Sequence, residues 1–201
     1  MRQEERSRTP LVLGGLFLAL VIGLALLLSS PFQGGGLGAL PGGTEQDSGA
    51  GTEQAAEVPD GWVTHDSDGW TVAVPPSYSP GSFNGAPQYK DQATGRTLRV
   101  STTAAGGGRA DAVKDRRNQA AAFARSHENY REIAIGEVDF RGLAAADWEF
   151  TYTDGGASLH ALSRVFVVDG RGYSLFFQTR STDDWDDARD DFDTIAAAFQ
   201  P

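Results

Sequence analysis

The sequence predicts an α+β fold: a mostly antiparallel sheet of about six to eight strands with two helices packed on it, preceded by one transmembrane helix. Three observations support this prediction. Alternating segments in the second half of the chain are separated by Asp-Gly turns, the pattern of antiparallel hairpins. The C-terminal segment repeats apolar residues at helical spacing. Residues 11–28 form an uncharged apolar run.

The apolar run predicts a membrane anchor over residues 11–29. Its 18 residues would rise about 27 Å as a helix, close to the hydrocarbon thickness of a bilayer. Three arginines precede the run and no lysine or arginine follows until Lys90, so the positive-inside rule predicts a cytoplasmic tail at residues 1–10 and an extracytoplasmic body. The alternative is a cleaved secretory signal, for which the run is long and Pro31 is an awkward cleavage neighbour.

Residues 30–58 are predicted to form a disordered, Gly-rich acidic linker. The stretch has no apolar periodicity, so it cannot bury enough surface to offset chain entropy. It contains four acids and no basic residue, which favours an extended tether of roughly 30 Å. Residues 59–201 are then left as one extracytoplasmic α+β domain.

The overall composition excludes several functions for this 201-residue chain. A formal net charge of −10 argues against binding nucleic acid or anionic lipid through electrostatics. The absence of cysteine excludes disulfides, thiolate metal sites and cysteine nucleophiles. No motif indicates a cofactor, and none is predicted.

The domain is predicted to run in the order strands, helix, four strands, helix. The predicted elements are a strand at Trp70–Val74, a hairpin of Gln88–Asp91 with Thr97–Thr102, a helix at Arg109–His127, and strands at Ile133–Phe140, Ala146–Thr153, Leu159–Val168 and Tyr173–Thr179.

The last element is the clearest helix. Ser181 or Thr182 could cap its N-terminus, and the acids that follow suit the positive end of the helix dipole. An apolar stripe at spacings of three and four is expected to lie on the sheet; it consists of Trp185, Ala188, Phe192, Ile195 and Phe199.

Several segments resemble the extracytoplasmic C-terminal region of bacterial transmembrane Ser/Thr protein kinases. They are residues 138–150 (VDFRGLAAADWEF), the strand at 164–166 (RVF), the strand start at 171–173 (RGY) and the helix at 184–192 (DWDDARDDF). The resemblance spans about residues 69–201. Such domains are similar to the PsbP-like α/β sandwich, and the resemblance implies a binding or sensor-like role without catalysis.

The sequence has no kinase catalytic domain. It contains no G-x-G-x-x-G-x-V loop, H-R-D loop or D-F-G motif, and ten residues precede the predicted anchor. The resemblance therefore implies a fold and a location, and no kinase activity. With so short a cytoplasmic tail, we expect inward signalling to need a second membrane protein.

Two acidic motifs are candidate cation sites. The cluster of aspartates at 183, 184, 186, 187, 190, 191 and 193 offers hard oxygens, but a continuous helix cannot wrap them around an ion. We expect helix-dipole complementarity and a solvated outer face instead. Asp66-Ser-Asp68-Gly69 resembles the start of an EF-hand loop, but Ser77 occupies the position of the bidentate glutamate, so a hairpin turn is expected.

The histidines and the glycine run give weak catalytic or ligand signals. His65, His127 and His160 belong to no metal or triad motif, and no G-x-S-x-G elbow presents a nucleophile, although a site assembled in space stays open. His160 is expected to be a cross-strand polar residue. Gly106–Gly108 precede a helix, as an anion-binding loop does, but Asp111 would oppose an anion there, so a plain loop is expected.

A concentration of aromatic residues gives the best binding prediction. Among Pro and Gly in the first third of the domain lie five rings that could line a ligand pocket or a partner surface: Trp62, Trp70, Tyr78, Phe83 and Tyr89. The alternative is that these rings belong to the core.

The sequence as a whole predicts a single-pass membrane protein whose extracytoplasmic domain binds or senses without catalysis. Its expected partners are the membrane, through the N-terminal helix, and an unidentified envelope protein or small ligand; nucleic acid is not expected. The alternatives are a secreted binding domain released by cleavage and, more weakly, a cell-envelope hydrolase.

Overall fold

The computed structural model describes residues 54–104, 109–180 and 184–201. The predicted anchor, most of the linker and the Gly106–Gly108 loop lie outside the described residues. Within those ranges, no helix is both long enough and apolar enough to cross a membrane.

The described part of the chain forms nine strands and two helices. In chain order these are β1 (Val63–Ser67), β2 (Trp70–Val74), β3 (Tyr78–Phe83), β4 (Ala86–Asp91), β5 (Thr97–Ala104), α1 (Arg109–Ser126), β6 (Glu128–Phe140), β7 (Leu143–Asp154), β8 (Ala157–Val168), β9 (Arg171–Arg180) and α2 (Trp185–Ala198).

Seven strands form one antiparallel sheet in the order β3-β4-β5-β9-β8-β7-β6. β1 and β2 form a separate hairpin, in which the Asp66–Gly69 motif spans the last two residues of β1 and the turn at Asp68 and Gly69, so the expected hairpin turn is confirmed. The predicted α+β class and the antiparallel meander are confirmed. The seven strands of this sheet lie within the predicted six to eight. The separate β1-β2 hairpin adds a second sheet that was not predicted, and β1 and β3 were not among the predicted strands.

Turn chemistry sets the register of the meander. Asp169 and Gly170 connect β8 to β9 with φ values of 49° and 74°. Two consecutive residues in the left-handed region form the type I′ turn, whose twist matches that of a tight hairpin. The ladder then pairs Val168 with Arg171 and continues to Leu159 opposite Arg180.

One face of the sheet is covered by α2 together with the β1-β2 hairpin. The predicted helix stripe is buried there: Ala188, Phe192, Ile195 and Phe199 have no exposed surface, and Trp185 packs at the edge. Phe192 contacts Phe177 of β9 at a centroid distance of 5.7 Å. This layer is the main hydrophobic core.

The cap of α2 differs from the prediction. Ser181 and Thr182 lie outside the described residues. Asp184 is the N-cap residue, and its side chain accepts hydrogen bonds from the backbone N–H groups of Asp186 and Asp187. An aspartate in this position satisfies two N–H groups that have no partner in the helix and also meets the positive end of the dipole.

Both ends of the domain are bound to this layer. The backbone N–H of Ala56 donates to the carbonyl of Ala197 at 2.8 Å, and Thr71 and Gln200 exchange two backbone hydrogen bonds of 2.7 and 3.0 Å. Ala56, three residues before the predicted domain start at residue 59, therefore contacts α2.

Candidate functional site: a cleft between α1 and the sheet

The second face of the sheet is covered by α1 over β6 and β7. Ala120 is buried against this face, and Phe123 packs edge-on against Phe150 and Tyr152, each at a centroid distance of 5.0 Å. α1 therefore packs on β6 and β7 through Ala120 and Phe123.

Beyond this contact lies a cleft of about 860 Å³. Its floor crosses three neighbouring strands, where Ser163 of β8 is paired with Phe176 of β9, and Phe176 with Arg99 of β5. The serines at positions 163 and 174 are small, so they leave space under the helix. The half-buried rings of Phe83, Phe123 and Phe176 supply apolar wall.

Arg116 projects from α1 into this cleft with only 9% of its surface exposed. Its Nη1 donates to the Ser163 hydroxyl at 3.1 Å, while its buried Nε has no hydrogen-bond partner in the described part of the chain. Desolvation lowers the pKa of Arg116 to about 10, with neighbouring Asp115 opposing the shift. The guanidinium is therefore still charged at neutral pH, with a neutral serine as its partner.

Arg99 is the second arginine of the floor. Its Nε donates to Oε1 of Gln88 at 3.0 Å, and its guanidinium carbon lies 3.9 Å from the ring centroid of Phe83 and 5.3 Å from that of Phe176. Desolvation lowers the pKa of Arg99, and the charges of Tyr152 and Asp154 oppose that shift. Like Arg116, this cation is held by neutral groups.

Buried arginines on the opposite face are neutralised. Arg164 binds Asp147 and Asp193, and Arg96 binds Asp187 and Asp191. Burial by itself lowers the pKa of Arg164, but hydrogen bonds to Asp147 and the nearby carboxylate charges outweigh it and raise the pKa. The fold thus pairs these arginines with acids around α2, whereas Arg99 and Arg116 of the cleft form no ion pair within the described part of the chain.

The mouth of the cleft carries charges of both signs. Arg125 and Glu128 are exposed there, and Asp154 is half-buried at the end of β7. The lining contains three arginines and two acids, so it is slightly positive in a chain of formal charge −10.

Ser126 and His127, also at the mouth, bear on the hydrolase alternative. Ser126 Oγ lies 3.0 Å from His127 Nδ1, a distance that suits a nucleophile and its base. However, the Ser126 hydroxyl and His127 Nδ1 each also lie 3.1 Å from the backbone carbonyl oxygen of Phe123. A nitrogen that donates to a carbonyl cannot accept a proton from serine, so these contacts are those of a helix C-terminus.

The structure separates the five aromatic residues predicted from the sequence as a binding surface. Trp70, Tyr78 and Tyr89 are buried in the core under α2, and Trp62 packs against that core. Phe83 lies in the cleft on the other face. The fold therefore does not assemble the five rings into one surface, because alternate residues of a strand point to opposite faces. That these residues bind a ligand stays a prediction.

Of the predicted aspartate cluster, Asp183 lies outside the described residues. Most of the other members are exposed, as expected, and only Asp191 and Asp193 are half-buried. Several of them also have structural roles. Asp184 caps the helix, Asp187 and Asp191 bind Arg96, and Asp193 binds Arg164 and Arg189. These acids thus attach the helix to the sheet. Among the described residues no group of three or more His, Cys, Asp or Glu side chains could hold a metal ion.

The prediction for His160 is confirmed. Its Nε2 lies 2.8 Å from Oε1 of Glu149 on the neighbouring strand β7, and its ring stacks on Trp185 with centroids 3.5 Å apart. The residue joins the sheet to the first turn of α2.

Sequence reasoning missed Arg99 and Arg116. Arg99 alternates with apolar residues in its strand, so in the sequence it looks like an ordinary solvent-facing residue. Arg116 is one of several arginines on a weakly amphipathic helix, so the sequence does not show which of them faces the sheet. The available signal was the small residues Ser163 and Ser174 at inward positions of otherwise bulky strands, which leave a space opposite the helix.

A family model described as "Serine/threonine kinase C-terminal domain" matches residues 58–201. None of the curated proteins matches the chain. Among solved structures, the chain is similar to cyanobacterial PsbP from Synechocystis sp. PCC 6803, with 17% identity and a TM-score of 0.55 over 73% of this chain and 96% of that one.

Two further structures are more distant. LpqN of Mycobacterium tuberculosis has 12% identity and a TM-score of 0.46 over 72% of this chain and 82% of its own. The Ran-binding protein Mog1p of Saccharomyces cerevisiae has 9% identity and a TM-score of 0.42 over 65% and 82% of the two chains. The similarity to cyanobacterial PsbP supports the predicted PsbP-like fold.

Proposed function

Because the chain belongs to the serine/threonine kinase C-terminal domain family, we propose that it is a non-enzymatic binding domain held outside a cell membrane, and that the cleft between α1 and the sheet takes a small organic ligand. The observation that supports this most directly is the cleft itself. Its volume of about 860 Å³ falls within the range of ligand pockets, roughly 300–1,000 Å³.

The lining of the cleft also resembles that of a ligand pocket. Such pockets combine apolar and aromatic walls with a few polar groups that orient the ligand. Here the rings of Phe83, Phe123 and Phe176 provide the walls, and two arginines and two serines provide the polar groups. The main core lies on the opposite face of the sheet, so a ligand could enter without disturbing the packing of α2.

The proposed location rests on the sequence of the N-terminal segment. The apolar run at residues 11–28 would anchor the chain, and the acidic linker would give the domain a reach of roughly 30 Å. A tether of this kind raises the effective concentration of a membrane-bound partner to about the millimolar range, so modest intrinsic affinity would suffice.

Filling the cleft tests the binding proposal. Ser174 lies half-buried on its floor, so Ser174→Trp would occupy the space without entering the main core. The matched control is Ser82→Trp on the exposed edge strand β3. The full chain in phosphatidylcholine nanodiscs is titrated with three naphthyl probes, 2-naphthamide, 2-naphthoate and 2-naphthyl phosphate, by ligand-observed NMR against empty nanodiscs.

Binding of at least one probe to the wild type and to Ser82→Trp, together with its loss in Ser174→Trp, would support the proposal. If no probe binds, or if binding survives in Ser174→Trp, the cleft is not the ligand site.

Fractionation tests the location. We expect a band of intact mass to stay in the membrane after high-salt and carbonate washes. We also expect added protease to degrade this band in cells whose envelope is permeabilised but whose membrane is intact. A shortened band in the medium would favour the alternative of a secreted domain released by cleavage.

A further inference from the structure

The cleft contains a buried arginine that forms no ion pair with any of the described residues. Arg116 is 9% exposed, its Nε has no partner among the described residues, and the group that binds its Nη1 is the neutral hydroxyl of Ser163. A buried unpaired cation is costly, because neither water nor a carboxylate compensates for its lost hydration. The contrast with Arg96 and Arg164, which have two carboxylates each, shows that this fold can supply such partners.

We infer that the ligand is an organic anion whose carboxylate or phosphate group binds Arg116, with Arg99 contributing a second positive charge, while its apolar body lies against Phe123 and Phe176. This inference rests on the proposed function of the cleft and specifies its ligand class. An anion at this place would pair with the unpartnered Nε, and a planar guanidinium suits the paired oxygens of either head group.

The floor of the cleft fits both parts of such a ligand. Ser163, Phe176 and Arg99 are directly opposite one another on three adjacent strands, so the two arginines flank a half-buried aromatic ring. Hydroxyl groups at Ser163 and Ser174 are further donors for anionic oxygens. The acids of the lining, Asp154 and Glu128, form no ion pair with either arginine.

Arg116→Met tests the inference, since methionine keeps an apolar stem and removes the charge. Arg117→Met is the matched control, because Arg117 is the exposed neighbour on the same helix and its loss changes the net charge equally. Arg116→Lys keeps a charge but loses the paired donors. The full chain in phosphatidylcholine nanodiscs is titrated with 2-naphthoate, 2-naphthyl phosphate and the neutral 2-naphthamide.

We expect the preferred anion to bind the wild type at least about 10-fold more tightly than the amide. The reason is that a hydrogen bond between charged groups is roughly twice as strong as one between neutral groups. Arg116→Met is expected to remove this preference, Arg116→Lys to retain part of it, and Arg117→Met to leave it unchanged. Tighter binding of naphthoate would indicate a carboxylate ligand, and tighter binding of naphthyl phosphate a phosphate ligand.

Equal affinity for the amide and the anions, or anion binding that survives in Arg116→Met, would overturn the anion inference and leave the binding function of the cleft in place. If none of the three probes binds, both proposals fail together. A free energy of unfolding in Arg116→Met equal to or above that of the wild type would show that lost binding does not reflect misfolding.

Discussion

Arg164 and Asp147 face each other across the β7-β8 ladder and form two parallel hydrogen bonds. Nε and Nη2 of the arginine donate to the two carboxylate oxygens, each at 2.8 Å. The arginine side chain is 7% exposed and the aspartate 16%, so the pair is largely dry. Arg189 and Asp193 of α2 extend this pair into a network that joins helix and sheet.

The first prediction compares the two kinds of buried arginine. Arg164→Met is expected to lower the free energy of unfolding by about 3–5 kcal/mol, because it leaves the buried Asp147 without its bidentate partner. Arg116→Met is expected to leave stability unchanged or to raise it, since it removes a buried charge that forms no ion pair with the described residues. Urea unfolding monitored by circular dichroism measures both; equal losses in the two variants would contradict this account.

The second prediction concerns the packing of α2. Phe192 has no exposed surface, so Phe192→Ala should cost roughly 3–5 kcal/mol through lost burial and a residual cavity. Val63→Ala, at a position 41% exposed, is the control and should change stability by less than about 0.5 kcal/mol. A loss below about 1 kcal/mol in Phe192→Ala would mean that α2 is not docked on the sheet as described.

The third prediction tests the N-cap of α2. Asp184→Ala removes the acceptor for the N–H groups of Asp186 and Asp187 and should cost about 0.5–2 kcal/mol. Asp184→Asn keeps a capping oxygen, so it should retain most of the stability of the wild type at neutral pH. Thermal unfolding of the two variants side by side gives the comparison, and identical melting temperatures for alanine and asparagine would rule out this cap.

The fourth prediction is a pH dependence set by Asp91 in the β4-β5 turn. Burial by itself raises the pKa of Asp91, but hydrogen bonds from the Ala93 backbone and from Thr94 and Ser77 outweigh it and lower the pKa below its ordinary value of 3.8. Because the folded pKa is the lower one, the carboxylate contributes stability above pH 3.8 that is lost as the pH falls through the folded value.

Asp91→Asn should therefore be less stable than the wild type near pH 6, by about 1–3 kcal/mol for the lost charged hydrogen bonds, and the gap should close in acid. Urea unfolding between pH 6 and pH 2.5 measures this, with Asp60→Asn as an exposed control. A gap that stays constant across that range would exclude the proposed role of the carboxylate.

Most of the fold could be predicted because its strands and α2 have strong local patterns. The Asp169-Gly170 turn and the alternation of β7 to β9 are readable without knowledge of tertiary contacts. β1 was missed because its five residues are polar or exposed, with no apolar alternation. β3 was missed because it contains Pro80 and Gly81, which are tolerated on an edge strand that pairs with β4 alone.

The cleft could not be predicted because it is the space between α1 and the sheet, two elements that are far apart in the sequence. Nothing near Arg116 in the sequence shows that its side chain is buried or that Ser163, 47 positions later, is its partner. The single aromatic surface was predicted from rings that are close in the sequence. Side chains of a strand alternate between its two faces, so Tyr78 and Phe83 of β3 lie on opposite faces of the sheet.

The backbone bridge between Thr71 and Gln200 has a mechanical consequence. Ala56 bonds to Ala197 and Gln200 bonds to Thr71, so a stretching load applied to the two ends of the domain would first act on these few isolated backbone hydrogen bonds. The long ladders of the seven-stranded sheet would be shielded from it. Any fluorescent or affinity tag joined at Pro201 would need a spacer, because the residue next to it is already bonded into the fold.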